Sequence, residues 1–268
     1  MNIKKILAKK IPQLSKRQRF IIAVFILSAG LFFSEYQFGK GGVFLVFLLA
    51  LLTPVLLFIS NYRDIKENFS PYLFILPFFY SLSFGLFYFL VPARFLSRML
   101  ITSLYALGLY SLFLSQNIFT VASIRTIALL SGGRIVSLVI TIVSYFFLTN
   151  IAFSLRLSIL PTGFLIFIFS FFLVLQSLWT ITLENRLRSY FFWTLGLSLC
   201  LFEMSLILWF WPTSPTVIAL FLTGFFYTTI GLSQAWLDKR LFRGVMWEYI
   251  WVAAATFFIL ALFTPWRP

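Results

Sequence analysis

Three stretches of the sequence carry side chains that could do chemistry. The first is Glu203, inside the apolar run SLCLFEMSLILWFW at 198–211. A carboxyl there could serve as a proton or cation site, or as a hydrogen-bonding group between packed helices. Helical spacing puts Gly196, Leu199, Cys200, Leu206 and Ile207 on its face. Gly196, Cys200 and Glu203 make a stripe of small residues, the kind that marks helix–helix contact. Glu203 is therefore expected to point between helices, neutral or hydrogen-bonded, toward Asn150, Thr223, Tyr227 or Thr228. Asn150 and Gln176 complete the candidate intramembrane polar site, and Gln176 is expected to donate one interhelical hydrogen bond. The second stretch is FFSEYQFGKGG at 32–42, where Glu35 is a candidate acid at the outer face. The third is SGGR at 131–134. Two glycine N–H groups, a helix N-terminus and Arg134 could hold a phosphate, in the modest version a lipid headgroup. The bland reading is a loop-to-helix turn with a snorkelling arginine. No GxxxxGK[ST] follows, so a nucleotide site is not expected.

Two counts remove whole classes of function. The chain has no histidine. That excludes histidine-dependent triads, the usual zinc sites, histidine-ligated haem and histidine proton relays. Its one cysteine, Cys200, cannot form an intrachain disulfide. Paired carboxylates, Gly-x-Ser motifs and metal-ligand clusters are also missing, so no catalytic residue, cofactor or metal is assigned.

The elements that must position these groups are read from composition. Of 268 residues, 61% are hydrophobic and only 10% charged, against about 25% charged in soluble domains. Most of that apolar surface needs a bilayer as solvent. Apolar runs long enough to cross ~30 Å of hydrocarbon recur at 20–38, 42–60, 71–91, 99–115, 135–155, 159–181, 190–211, 215–236 and 246–263. Between them stand helix-stopping breaks such as GKGG at 39–42 and PTSP at 212–215. The expectation is an all-α polytopic transmembrane bundle of about nine spans. Residues 1–19 form a basic cytoplasmic segment and 20–268 a single integral membrane domain. Lysines interleaved with Ile3, Ile6, Leu7, Ile11 and Leu14 suggest a short basic helix on the membrane. A cleaved signal ending near SAG at 28–30 is the competing reading. Pro54 and Pro77 are expected to kink their helices.

Net charge is +14. Its likeness to a nucleic-acid binder is superficial, because no soluble segment carries a base-stacking platform; no nucleic-acid partner is expected. With the N-terminus inside and the sides alternating, 16 of the 21 Lys and Arg fall on the inner side, seven of them between Lys4 and Arg19. That asymmetry places the N-terminus in the cytoplasm and the C-terminus outside the cell membrane. The basic residues would meet anionic lipid headgroups at the cytoplasmic face. Trp179, Trp209, Trp211, Trp236, Trp247 and Trp266 lie near span ends, as interfacial anchors do. Segment 116–134 is too polar for a span, and is expected to lie along the interface or pack as a re-entrant piece.

Part of that segment, NIFTVASIRTIALLSGGR followed by IVSLVITIVSYFF, resembles a stretch of uncharacterised multi-pass membrane proteins from small-genome bacteria. The resemblance spans residues ~117–150 and implies no assigned activity and no functional residues. Glu35 resembles the first-loop acid of multi-pass lipid-linked sugar transferases, where it acts as base or metal ligand. Those enzymes usually pair two acids in a longer loop, and here a single acid sits in a short one. Three readings of function follow. The favoured one is a non-catalytic membrane scaffold with a membrane-protein partner. The alternatives are a small transporter or flippase using Glu203, and a lipid-linked glycosyl or lipid-modifying transferase acting at the outer face through Glu35.

Overall fold

The computed structural model describes residues 15–34, 40–67, 69–92, 94–122, 128–183 and 187–265. Every regular element among them is helical. The order is α1 (Lys16–Ser34), α2 (Lys40–Ser60), α3 (Tyr62–Glu67), a 3-10 turn (Pro71–Phe74), α4 (Ile75–Tyr88), α5 (Phe95–Ala122), α6 (Leu130–Ser154), α7 (Ile159–Thr182), α8 (Leu187–Trp209), α9 (Pro215–Leu237) and α10 (Arg243–Leu262). Among the described residues, nine helices are long and apolar enough to cross a membrane. They fall on the nine runs expected from sequence, the 3-10 turn and α4 together making the third. Glu35 and most of the expected basic N-terminal helix lie outside the described residues; Lys16, Arg17 and Arg19 form the first turn of α1.

The packing has an inner and an outer layer. Of the residues that would span, 61% are buried in α9 and in the 3-10 turn with α4, and 56% in α6 and α7; α10 has 6%. α4 packs on α2, α5 and α6, while α6 also meets α7 and α9. α8 lies mainly against α7, and α10 against α9. Hydroxyl chains tie the layers together. Thr53 Oγ1 and Ser81 Oγ share a hydrogen bond of 2.7 Å, Ser81 Oγ and Tyr105 OH one of 2.8 Å, and Tyr80 OH donates to the Tyr105 carbonyl at 3.0 Å. α2, α4 and α5 are thus stitched at one level, which leaves few buried hydroxyls to seek water there.

Segment 116–134 departs from expectation. Residues 116–122 continue α5, residues 130–134 begin α6, and no separate interfacial helix occurs among the described residues. Of the polar residues whose helical spacing suggested a surface helix, Thr120 is buried, Asn117 half-buried and Ser131 exposed, and Ser123 lies outside the described residues. Gln116 and Thr120 are buried, and Phe119 between them packs edge-on to Trp179 at 6.0 Å. The 28 residues of α5 extend about 42 Å, so a polar end can stand clear of a ~30 Å apolar belt. Trp179 differs too. It is 2% exposed, enclosed by Phe119 and Tyr72, and does not stand at the surface as an anchor. Pro54 lies inside α2. Pro77 falls in the first turn of α4, where a missing N–H removes little from the helix.

Candidate functional site

Glu203 is placed by the way α8 docks on the bundle. Thr194, Ser198, Leu201, Ser205 and Leu208, spaced three and four apart, are buried. The opposite positions Gly196, Leu199, Cys200, Glu203 and Ile207 are exposed. Glu203 therefore points away from the bundle, and the expectation that it lies between helices is wrong. α8 carries two small-residue stripes. The one with Thr194, Ser198, Leu201, Ser205 and Leu208 is buried, and its Ser198 and Ser205 hydroxyls donate to the Thr194 and Phe202 carbonyls of the same helix at 2.7 and 2.6 Å, so small groups that need no outside partner are packed inward. This leaves the stripe of Gly196, Cys200 and Glu203 outside. Among the described residues Glu203 makes no hydrogen bond and no ion pair.

The partners expected for Glu203 are engaged elsewhere. Asn150 Nδ2 donates to Thr216 Oγ1 at 3.2 Å, and its carbonyl accepts from Ser154 Oγ at 3.2 Å. Thr223 and Thr228 donate to carbonyls one turn back in their own helix, and Tyr227 lies 5.4 Å from the Tyr249 ring. Asn150, Gln176 and Glu203 are thus not brought together. Gln176 Nε2 does donate across helices, to Ser137 Oγ of α6 at 3.2 Å.

Arg134 is also taken up by protein. Its Nε donates to the Thr180 carbonyl at 3.1 Å and its Nη2 to the Ile181 carbonyl. These are among the last carbonyls of α7, which lack intrahelical partners, and a cation there complements the helix dipole. SGGR begins α6, and the Gly133 N–H already bonds the Leu129 carbonyl at 3.1 Å. The guanidinium thus directs Nε and Nη2 at a helix end.

Two features escaped the sequence reading. The Asn61 amide, whose residue takes the Asp64 N–H on its backbone carbonyl beside the Lys16–Asp64 ion pair of α1 and α3, and the Gln116 amide of α5 are 1% and 0% exposed and make no hydrogen bond to a described residue. At the opposite end a pocket of about 270 Å³ is lined by Arg156, Thr162, Trp209, Trp211 and Thr213. Its hydroxyl and indole donors already bond carbonyls or hydroxyls: Thr162 to Ser158, Trp209 to Leu157, Thr213 to Phe263 and Trp211 to Thr264. Arg156 holds a left-handed backbone, φ 48°, uncommon for a non-glycine residue. A positive φ in a two-helix turn leaves no pattern in sequence, and buried amides are indistinguishable from surface ones until packing is known.

Fold and side chains define an all-helical bundle whose long helices are apolar enough to cross a membrane. Many of its interior hydroxyls bond carbonyls of their own helix, such as Thr141 to Ser137 and Ser144 to Ile140, others join helix to helix, such as Tyr145 with Ser170, and no catalytic set assembles among the described residues. Residues 29–263 match the family described as protein of unknown function (DUF5656), and the chain belongs to that family. Membership of an uncharacterised family without assigned activity agrees with the resemblance read from 117–150. No curated protein and no solved structure matches the chain.

Proposed function

We propose that the chain is a multi-pass protein of the cell membrane, N-terminus in the cytoplasm and C-terminus outside, that acts as a non-catalytic assembly partner. The observation that carries this reading is the outward, unpartnered carboxyl of Glu203. Within the apolar stretch Tyr190–Trp209 it lies about 20 Å from one end and about 9 Å from the other. A carboxyl left against acyl chains costs several kcal/mol, so such a residue calls for a protein surface to cover it. A transport site would instead lie on a polar route through the bundle. The charge asymmetry supports the orientation, with Arg17, Arg19, Arg240 and Arg243 at the inner end beside anionic headgroups.

Reconstitution tests this. Vesicles holding the full chain and a trapped pH dye are expected to leak protons no faster than empty vesicles under an imposed gradient. In native gels of mild-detergent extracts the chain is expected to run as an assembly larger than its monomer, and Glu203→Leu to shrink that assembly without loss of helicity. Proton or cation flux that Glu203→Gln abolishes would refute the reading in favour of a transporter.

A further inference from the structure

We propose, resting on that reading, that the partner covering α8 is a second copy of the same chain, the two α8 helices meeting along Gly196, Cys200 and Glu203 about a two-fold axis.

Three observations choose this occupant. The first is hydrogen-bonding complementarity. In its acid form a Glu side chain carries both a hydroxyl donor and a carbonyl acceptor. Two such groups facing each other satisfy both, with nothing else required. A two-fold axis along the bilayer normal sets residue i against its own copy at equal depth. The second is the lack of a complement within the chain. In the described long helices every Lys and Arg lies within five residues of a helix start, far from the level of Glu203. Acyl chains have no donor, and headgroups do not reach that depth. The third is shape. A Cβ on Gly196 would meet nothing within 4 Å, so the backbone of α8 is open to close approach two turns from Glu203. Cys200 is small and exposed between them. Small residues spaced this way let helix backbones come together in lipid, where packing and interhelical hydrogen bonds drive association. Beyond Glu203 the same face runs into an open apolar groove of Leu206, Ile207, Phe210 and Ile159, which extends the contact toward the Trp209 end.

The arrangement makes Cys200, the chain's one cysteine, a built-in reporter. It lies one turn from Glu203 on the contact face, so the axis brings it beside its own copy. Disulfides form where Cα atoms come within about 7 Å. Oxidation with copper-phenanthroline and oxygen, on the full chain in lipid vesicles, is expected to give a reducible species of twice the 31.1 kDa chain mass. The yield should hold when the vesicles are diluted with excess lipid. Glu203→Gln, whose amide also donates and accepts, should keep the cross-link. Glu203→Leu should weaken association about tenfold, equivalent to about 1.4 kcal/mol, within the range measured for interhelical hydrogen bonds in membranes. Gly196→Phe should block the approach. Gly196 and Glu203 both face outward, so unchanged thermal unfolding of each variant checks that the fold persists.

Several results would overturn the proposal. One is a cross-link that vanishes on lipid dilution. Another is a cross-link whose yield Glu203→Leu leaves unchanged. A third is dimerisation reported instead by Phe258→Cys on α10, in a Cys200→Ser background. A Cys200 adduct of a different mass would sink self-association and leave the assembly role standing. Glu203-dependent flux with no cross-link would sink both.

Discussion

The attachment of α10 offers a sharp quantitative test. This helix is almost wholly outside the core and is seated on α9 over Gly224 and Gly231, which lie seven residues apart on one face. A Cβ on Gly224 would collide with Thr256 Cγ2 and stand 2.8 Å from its Oγ1 and 2.9 Å from its Cβ. Comfortable carbon contacts are about 3.5–4.0 Å. Thr256 has little room to yield, because its Oγ1 donates to Ala253 and Val252 carbonyls at 3.0 and 3.1 Å and its branched Cβ is stiff in a helix. The helices must then part by roughly 1 Å, an overpacking cost of about 1–3 kcal/mol. Alanine returns about 1 kcal/mol over glycine through helix propensity. Gly224→Ala should therefore destabilise by up to about 2 kcal/mol net. Gly132→Ala, where a Cβ meets nothing within 4 Å, should stabilise by up to about 1 kcal/mol. Thr256→Ala should relieve much of the Gly224→Ala defect, which a double-mutant cycle would register as coupling. The assay is reversible unfolding in mixed micelles by SDS titration, followed by circular dichroism. If Gly224→Ala stabilised as much as Gly132→Ala, the notch reasoning would be wrong.

Three further outcomes are expected from the same titration. Arg134→Met should cost about 2 kcal/mol, by removing a charged donor from two carbonyls at the end of α7; no loss would mean that guanidinium does not hold the helix end. Tyr105→Phe removes one hydroxyl link, to Ser81, and should cost about 1 kcal/mol while Ser81 keeps Thr53; a loss of several kcal/mol would point to a larger coupled network. Gln116→Met keeps the volume of a side chain whose amide bonds no described residue and should stabilise by about 1–2 kcal/mol; clear destabilisation would show that the amide is engaged in the folded protein.

The sequence by itself settled what is set by local pattern. Long apolar runs and the Gly, Pro and polar breaks between them specify helices and their number, because each helix satisfies its own backbone and needs no distant partner to do so. Among the described residues the nine runs met nine helices long and apolar enough to span for that reason. The boundary at 116–134 failed because hydropathy measures polarity and not direction. Gln116 and Thr120 are polar and also buried, and only the neighbouring helices reveal that. The direction of a side chain around a helix was equally beyond reach. α8 has two stripes that could pack, and the mean character of the helix is the same whichever is used. Tertiary packing chose Thr194, Ser198, Leu201, Ser205 and Leu208 against the bundle, and so turned Glu203 outward. Arg134 followed the same logic: its charge was legible, but the carbonyls at the end of α7 that take it up are 46 and 47 residues away in the chain. A sequence gives the chemical types along each helix. Which face each helix buries is decided by the summed contacts of all the others, and that sum exists only in the folded bundle.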